Sequence, residues 1–263
     1  MKLTLYQVDA FSDKLFGGNP AAVVPLKKWI PEELMQKLAM ENNLAETVYF
    51  VPSDKKGVDY DIRWFTPTIE INLCGHATLA SAYTIFNILE EKKKTVVFSS
   101  KSGLLTVKKK KDILEMDFPS WKPERIDNYH SDLANALGVK EILGVYKYRD
   151  LLVELNSEEE VRRVSPDFTL LKGVGAPVCI TAPGKNVDFV SRFFAPAEGI
   201  NEDPVTGSAH TSTVTYWAKQ LGKTKLKAIQ LSKRRGYLDC ELKGDRVLMS
   251  GNAVTYMKGE YYI

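Results

Sequence analysis

Three short stretches of this 263-residue sequence carry the residue types that proton chemistry requires. Leu73-Cys74-Gly75-His76-Ala77-Thr78 and Val205-Thr206-Gly207-Ser208-Ala209-His210 each put a glycine, then His or Ser, where an apolar helical run begins. The first turn of a helix leaves unpaired N–H groups and the positive end of the macrodipole. With glycine permitting close approach, such a start can hold a carboxylate or stabilise an enolate-like oxyanion. One glycine at a helix start is ordinary capping. Two at matching points of the chain are better explained by one cleft shared between two halves. The third stretch, Asn42–Phe50, sets Glu46 between a helical and a β-rich run. A surface glutamate is the bland reading. Against it, the matching stretch Val174–Ile180 holds no acid, so one carboxylate faces the cleft, as a one-base enzyme requires.

Asp203, ahead of Pro204, is biased to an extended conformation just before the second helix start. Glu202 and Asp203 could serve only as helix-start acids. Asp203, His76 and Ser208 nevertheless form a set of proton handlers once the two starts face each other. A Ser-His-Asp hydrolase is disfavoured, because the G-x-S-x-G elbow is missing. Of the other histidines, His130 reads as surface and His210 as a helix residue packed against its own neighbours. The sequence lacks G-x-G-x-x-G after a strand, a Walker loop and a recognisable Schiff-base lysine. The expected cofactor set is therefore none, and no metal is expected.

The elements that must position these residues come from a duplication. Arg63-Trp-Phe-Thr-Pro67 recurs as Arg192-Phe-Phe-Ala-Pro196 at an offset of 129, and Gly75-His-Ala77 as Gly207-Ser-Ala209 at an offset of 132. Gly103, Asp112 and Met116 recur as Gly236, Asp245 and Met249 at an offset of 133. Each copy reads as strand, strand, helix, strand, strand around a further helix. In the first copy these are Leu3–Phe11, Ala21–Pro25 after a Gly17–Pro20 turn, a helix from Pro31, Thr47–Val51 and Tyr60–Phe65. Gly75–Leu89 is apolar nearly all round, and Ser208–Leu221 is rich in small and β-branched residues, so both are predicted to be buried helices. Leu104–Val107, Ile113–Asp117, Tyr237–Leu242 and Arg246–Ser250 complete the sheets. The Lys108–Lys111 run is expected in a hairpin turn, and Glu158–Arg163 on an exposed helix face. The fold class is α+β: two similar domains, each a curved, mostly antiparallel sheet or half-barrel on a central helix. Their expected limits are 1–118, with a strand from 252–263 returning to it, and 119–251.

Composition narrows the partners. With 44% hydrophobic and 26% charged residues, the chain reads as an ordinary globule. Its 36 basic and 33 acidic side chains, net +3, are too balanced to imply nucleic acid or an anionic membrane. Long uncharged apolar windows are missing, and the three cysteines, Cys74, Cys179 and Cys240, lack metal-ligand or disulfide spacing. A cytoplasmic enzyme or binding protein is expected.

In these motifs the sequence resembles the phenazine-biosynthesis isomerase (PhzF-like) family and, more distantly, diaminopimelate epimerase and proline racemase. The resemblance runs nearly end to end. It covers Val8–Phe11, Gly18-Asn19-Pro20, Asn43–Thr47, Phe65–Pro67, Glu70, Leu73–Thr78 and Glu202–Ala209. It implies a fold of the diaminopimelate-epimerase type and cofactor-independent acid/base isomerisation of a small carboxylate-bearing substrate between the domains, commonly in a homodimer. Glu46 matches the family's catalytic glutamate, and His76, Asp203 and Ser208 its supporting polar residues. Gly75 and Gly207 match contacts to the substrate carboxylate, with Asn19 and Cys74 beside them. The epimerases and racemases use two opposed cysteines; Cys74 stands at the first position, but the repeat puts Thr206 at the second. That disfavours a two-thiol racemase and makes Cys74 a small buried residue more readily than a thiolate. An amino- or hydroxy-acid epimerase, or a non-catalytic acid-binding protein, is the alternative.

Overall fold

The structure, a computed structural model, describes residues 1–90 and 92–263. The chain folds as two compact units, Met1–Asp117 with Met249–Ile263, and Phe118–Leu248.

In the first unit the strands are β1 (Lys2–Ala10), β2 (Asn19–Pro25), β3 (Glu46–Pro52), β4 (Tyr60–Phe65), the short β5 (Glu70–Ile71), β6 (Thr95–Ser100), β7 (Gly103–Lys110) and β8 (Ile113–Pro119). Neighbours pair antiparallel except at two places, where β2 runs parallel to β3 and β4 parallel to β6. The helices are α1 (Glu32–Asn42) and α2 (Gly75–Thr84). Strands β2 and β3 are buried on both faces. Ala22, Val24, Tyr49 and Val51 pack under α1 with Met35, Leu38 and Ala39. The alternate residues Ala21, Val23, Val48 and Phe50 are buried on the face that α2 covers.

Nine of the ten residues of α2 are buried. Its hydroxyls are satisfied within the helix: Ser81 and Thr84 donate to the carbonyls of Ala77 and Ala80, at 2.8 and 2.9 Å. The predicted helix to Leu89 changes character at Ile85. Residues Ile85–Leu89 form a π-helical turn, closed by Glu90 N–H on the Ile85 carbonyl.

The second unit repeats this plan with β9 (Glu124–Arg125), β10 (Gly144–Lys147), β11 (Leu151–Glu154), β12 (Val178–Pro183), β13 (Phe189–Ala195), β14 (Ile200–Asp203), β15 (Lys225–Gln230), β16 (Gly236–Lys243) and β17 (Arg246–Gly251). Again two pairs are parallel, β11 with β12 and β13 with β15. Short helices α3 (Leu133–Leu137), α4 (Glu158–Arg163) and α5 (Phe168–Gly173) cover one face of the sheet through Val161, Leu171, Val178 and Ile180. The long α6 (Gly207–Leu221) packs on the other, where Trp217 Nε1 donates to Thr181 Oγ1 at 2.8 Å and its ring stacks on Phe189. The final strand, β18 (Ala253–Tyr262), pairs antiparallel with β1 across a bulge at Gln7/Val8.

Two turn expectations are corrected. Asn19 and Pro20 belong to β2, not to the turn, because β1 pairs with them at Ala10 and Asp9. Lys108–Lys110 lie inside β7, and only Lys111, at φ 58°, makes the hairpin turn. Its strand positions pair with Leu114 and Glu115, which a charge count cannot anticipate. Helix α4 keeps Arg162 and Arg163 outside, paired with Glu158 and Glu159 four residues earlier.

Gly18 sits at φ +62°, and a Cβ there would lie 2.0 Å from the Ala10 carbonyl oxygen. Gly244, at φ +64°, has open space around it. Gly18→Ala is therefore expected to lower unfolding free energy by more than about 2 kcal/mol. Gly244→Ala should cost only the left-handed strain of about 1 kcal/mol. Urea denaturation of the two variants checks the difference, and equal losses would refute it.

Candidate active site

Glu46 is placed by the stop of α1. Asn43 ends that helix in the left-handed region, at φ 48°, and Glu46 opens β3 three residues later. Asn42 Nδ2 donates to Thr47 Oγ1 at 2.8 Å, pinning the entry to the strand. Ala21 of β2 pairs with Glu46, which brings Asn19, two residues earlier on β2, to the same end of the sheet. Cys74 is the N-cap residue of α2, with Gly75 and His76 in its first turn. Thr78 Oγ1 donates back to the Cys74 carbonyl at 2.5 Å. The structure thus brings Asn19, Glu46, Cys74, Gly75 and His76 together within the first unit.

The Glu46 carboxylate lies 2.9 Å from His76 Nε2, with side-chain exposures of 9% and 2%. Despite the distance, neither Oε2 nor Nε2 has an aligned hydrogen bond. Asn19 Nδ2 is 3.1 Å from His76 Nδ1, and Cys74 Sγ 3.5 Å from the same atom. Burial opposes charge on His76, while the Cys74 sulfur and the Glu46 carboxylate favour it, and the balance holds its pKa well above the usual histidine range. Burial, with Glu46 nearby, pushes the Cys74 thiol up to about 11. An Asn19 amide can serve either form of the ring by presenting its NH2 or its oxygen. The first turn of α2 has no side-chain cap beyond the Cys74 sulfur facing the Ala77 N–H, so the Gly75 and His76 N–H groups can meet another acceptor.

Asp203, Gly207 and Ser208 lie in the second unit. Asp203 ends β14, accepts a short hydrogen bond from Thr206 Oγ1, and its carbonyl accepts from Gln230 Nε2 at 2.7 Å. Gln230 Oε1 in turn accepts from Thr206 N–H at 2.8 Å, so the start of α6 is tied to the end of β15. No side chain caps α6 either. Ser208 Oγ accepts from Arg149 Nη2 at 3.0 Å, and Arg149 is itself forked onto Asp150. Arg149 and Gln230 are polar residues that pattern reading missed. Neither sits in a motif, and only a buried polar residue closing the β15 strand could have drawn notice to Gln230.

Two acids prove to be structural. Glu70 on β5 takes both Nε and Nη2 of Arg63 on β4, each at 2.8 Å, which holds its carboxyl below the usual range. Glu202 on β14 takes Arg192 on β13 in the same way, at 2.7 and 3.0 Å. Glu202 is therefore a strand clamp and not a helix-start acid. His210 is fully buried on α6, its Nδ1 2.8 Å from the Thr206 carbonyl, while His130 is exposed.

A strand topology repeated in the two units, each with a largely buried helix, defines the diaminopimelate epimerase-like class of α+β protein. The family model described as phenazine biosynthesis-like protein matches residues 8–259. An uncharacterized isomerase of Pseudomonas aeruginosa is 47% identical over 264 residues, covering 100% of both chains. A solved PhzF-family structure from Enterococcus faecalis superposes with TM-score 0.94 at 48% identity, also covering 100% of each. A hydroxyproline epimerase from Agrobacterium vitis shares the fold alone: TM-score 0.64 at 11% identity, over 98% of this chain and 92% of that one. The chain belongs to the phenazine biosynthesis-like (PhzF) family and is an enzyme of the isomerase class. Among the described residues, no helix is long and apolar enough to cross a membrane.

Two predictions follow from these burials. His210 is held down to about 4 by burial. From pH 6.5 to about 4 the unfolded chain therefore takes up a proton that the native state refuses, and stability falls with pH by up to about 3 kcal/mol. His210→Gln should flatten that part of the stability profile; an unchanged slope would refute the assignment. The Cys74 and Cys179 thiols, at about 11 and about 12, and the still higher Cys240, are all buried. Labelling of native protein by a thiol reagent at pH 8 should be at least about 100-fold slower than for an exposed cysteine. Rapid labelling of Cys74 would show it to be a reactive thiolate.

Proposed function

We propose that this enzyme is a cofactor-independent isomerase that removes a proton from an activated carbon near a carboxylate and returns it elsewhere on the same small metabolite. The observation that carries the reading is the buried Glu46 carboxylate, 2.9 Å from His76 Nε2 without an aligned hydrogen bond. A structural ion pair would be aligned, as Arg63–Glu70 is. A buried carboxylate placed beside an imidazole can accept a proton from carbon and release it at a second position.

In this reading Glu46 is the base in the first step and the acid in the second. His76, 2.9 Å from the carboxylate, keeps the base placed at the start of α2. The uncapped first turn of α2, at Gly75, receives the substrate carboxylate and spreads the negative charge that develops on deprotonation. Asn19 orients the His76 ring. Cys74, protonated at neutral pH, shapes the site without acting as a base. The repeat supports roles for Asp203, Gly207 and Ser208 in holding substrate, since Gly207 and Ser208 correspond to Gly75 and His76. A homodimer and a small carboxylate-bearing substrate complete the proposal.

Incubation in deuterated buffer with a panel of small carboxylic acids tests this directly. The wild-type protein should incorporate deuterium into a shifted isomer. Glu46→Gln should lose roughly 10²–10⁴-fold or more in turnover while ligand binding survives. Retained turnover in that variant would overturn the assignment. Inversion at one centre would favour an epimerase, and binding without any exchange would favour an acid-binding protein.

A further inference from the structure

The same helix start gathers three different metal donors. One ligand atom each from Glu46, Cys74 and His76 lies within 4.8 Å of the other two, and all three residues are buried. We propose that Glu46, Cys74 and His76 form an inhibitory site for a borderline-soft divalent cation of the zinc type. The binding claim stands on geometry alone; the inhibitory consequence rests on the role given above to Glu46, because the metal would occupy the base.

The donor set selects the ion. Sulfur and imidazole nitrogen are poor ligands for magnesium or calcium, which require oxygen cages, and good ones for zinc. Bonds of about 2.0–2.3 Å to N, O and S require ligand atoms roughly 3.3–3.8 Å apart in a tetrahedron, so side-chain shifts of about 1 Å suffice. His76 Nε2 already faces Glu46 at 2.9 Å. Its other nitrogen lies 3.1 Å from Asn19 Nδ2; turned to present Oδ1, that amide would accept the Nδ1–H that a metal-bound histidine ordinarily donates. Binding displaces two protons to solvent, one from the Cys74 thiol and one from His76 Nε2, and the resulting thiolate and carboxylate together neutralise the dication. The positive end of α2 opposes a cation with about half a unit charge, which two anionic ligands exceed. Three ligands leave a fourth position for water. The chain carries no counterpart: in the second unit the position of Cys74 is Thr206 and that of His76 is Ser208.

The test uses the full-length protein and Co2+ as an optical probe for Zn2+. Titration should produce a thiolate-to-cobalt charge-transfer band and tetrahedral d–d bands that saturate at one ion per chain and are displaced by Zn2+. Cys74→Ser should abolish the charge-transfer band. It should also weaken Zn2+ binding by more than the roughly 10–100-fold that loss of an outer partner costs. If that variant does not fold, the Cys179→Ala/Cys240→Ala double variant, with Cys74 as its only thiol, must keep the full band. Absence of the band in wild-type protein, or its persistence in Cys74→Ser, overturns the site. That failure is separate from failure of the isomerase reading. A missing band with turnover lost in Glu46→Gln refutes only the metal, whereas a band with turnover retained in Glu46→Gln refutes only the catalytic role.

Discussion

A helix packed against sheet on most of its surface has little water to satisfy it, and that constraint organises this molecule. Helix α2 contacts β1, β2, β3 and β18, and α6 stacks Trp217 on Phe189 of β13. Polar residues along such helices must find partners within them. Ser81, Thr84, Thr213 and Thr215 do so by donating to carbonyls four residues back. The residues that cannot be satisfied in this way are at the first turn, where the backbone N–H groups have no preceding carbonyl. Polar chemistry is therefore concentrated at one end of each helix, while the rest is spent on packing.

Duplication separates what holds the fold from what acts. The Arg63–Glu70 and Arg192–Glu202 clamps occur once per unit, joining corresponding strands with two aligned bonds each. Forked geometry of this kind keeps the short β5 and β14 strands against β4 and β13. Among the described residues, the pairing of Glu46 with His76 occurs once. In register terms Thr47 pairs with Phe65, and Val178 with Phe194, so the position equivalent to Glu46 is Pro177. A pair that is close, buried, unaligned and unrepeated has no structural task that the other unit also needs.

Much of this was legible in the chain. The two glycine-led helix starts, the repeat near 130 residues and the strands from Tyr60, Ile113 and Arg246 follow from motif spacing and period-two burial. Those signals are local, because side-chain alternation and helix caps depend on near neighbours. The short strands β5, β9 and β14 and the helices α3 and α5 were not legible, since two to six residues carry too little pattern. The Lys108–Lys110 strand was hidden by its charges, although β7 pairs with β6 on one side and β8 on the other. The π-turn after Thr84 was hidden because it carries the same apolar residues as the helix it continues.

By itself the sequence determined the class of fold, the asymmetry between the halves and the residue types available at each helix start. It named Glu46, His76 and Cys74 but could not say that they touch. Glu46 is about thirty positions from His76 in the chain, and only the parallel pairing of β2 with β3, under α2, closes that separation to 2.9 Å. Tertiary structure also decided which acids are clamps, because Glu70 and Glu202 have an arginine across the neighbouring strand where Glu46 has His76. Spacing records neighbours along the chain, whereas charge state, alignment and metal-donor geometry depend on atoms brought together from distant segments and withdrawn from water.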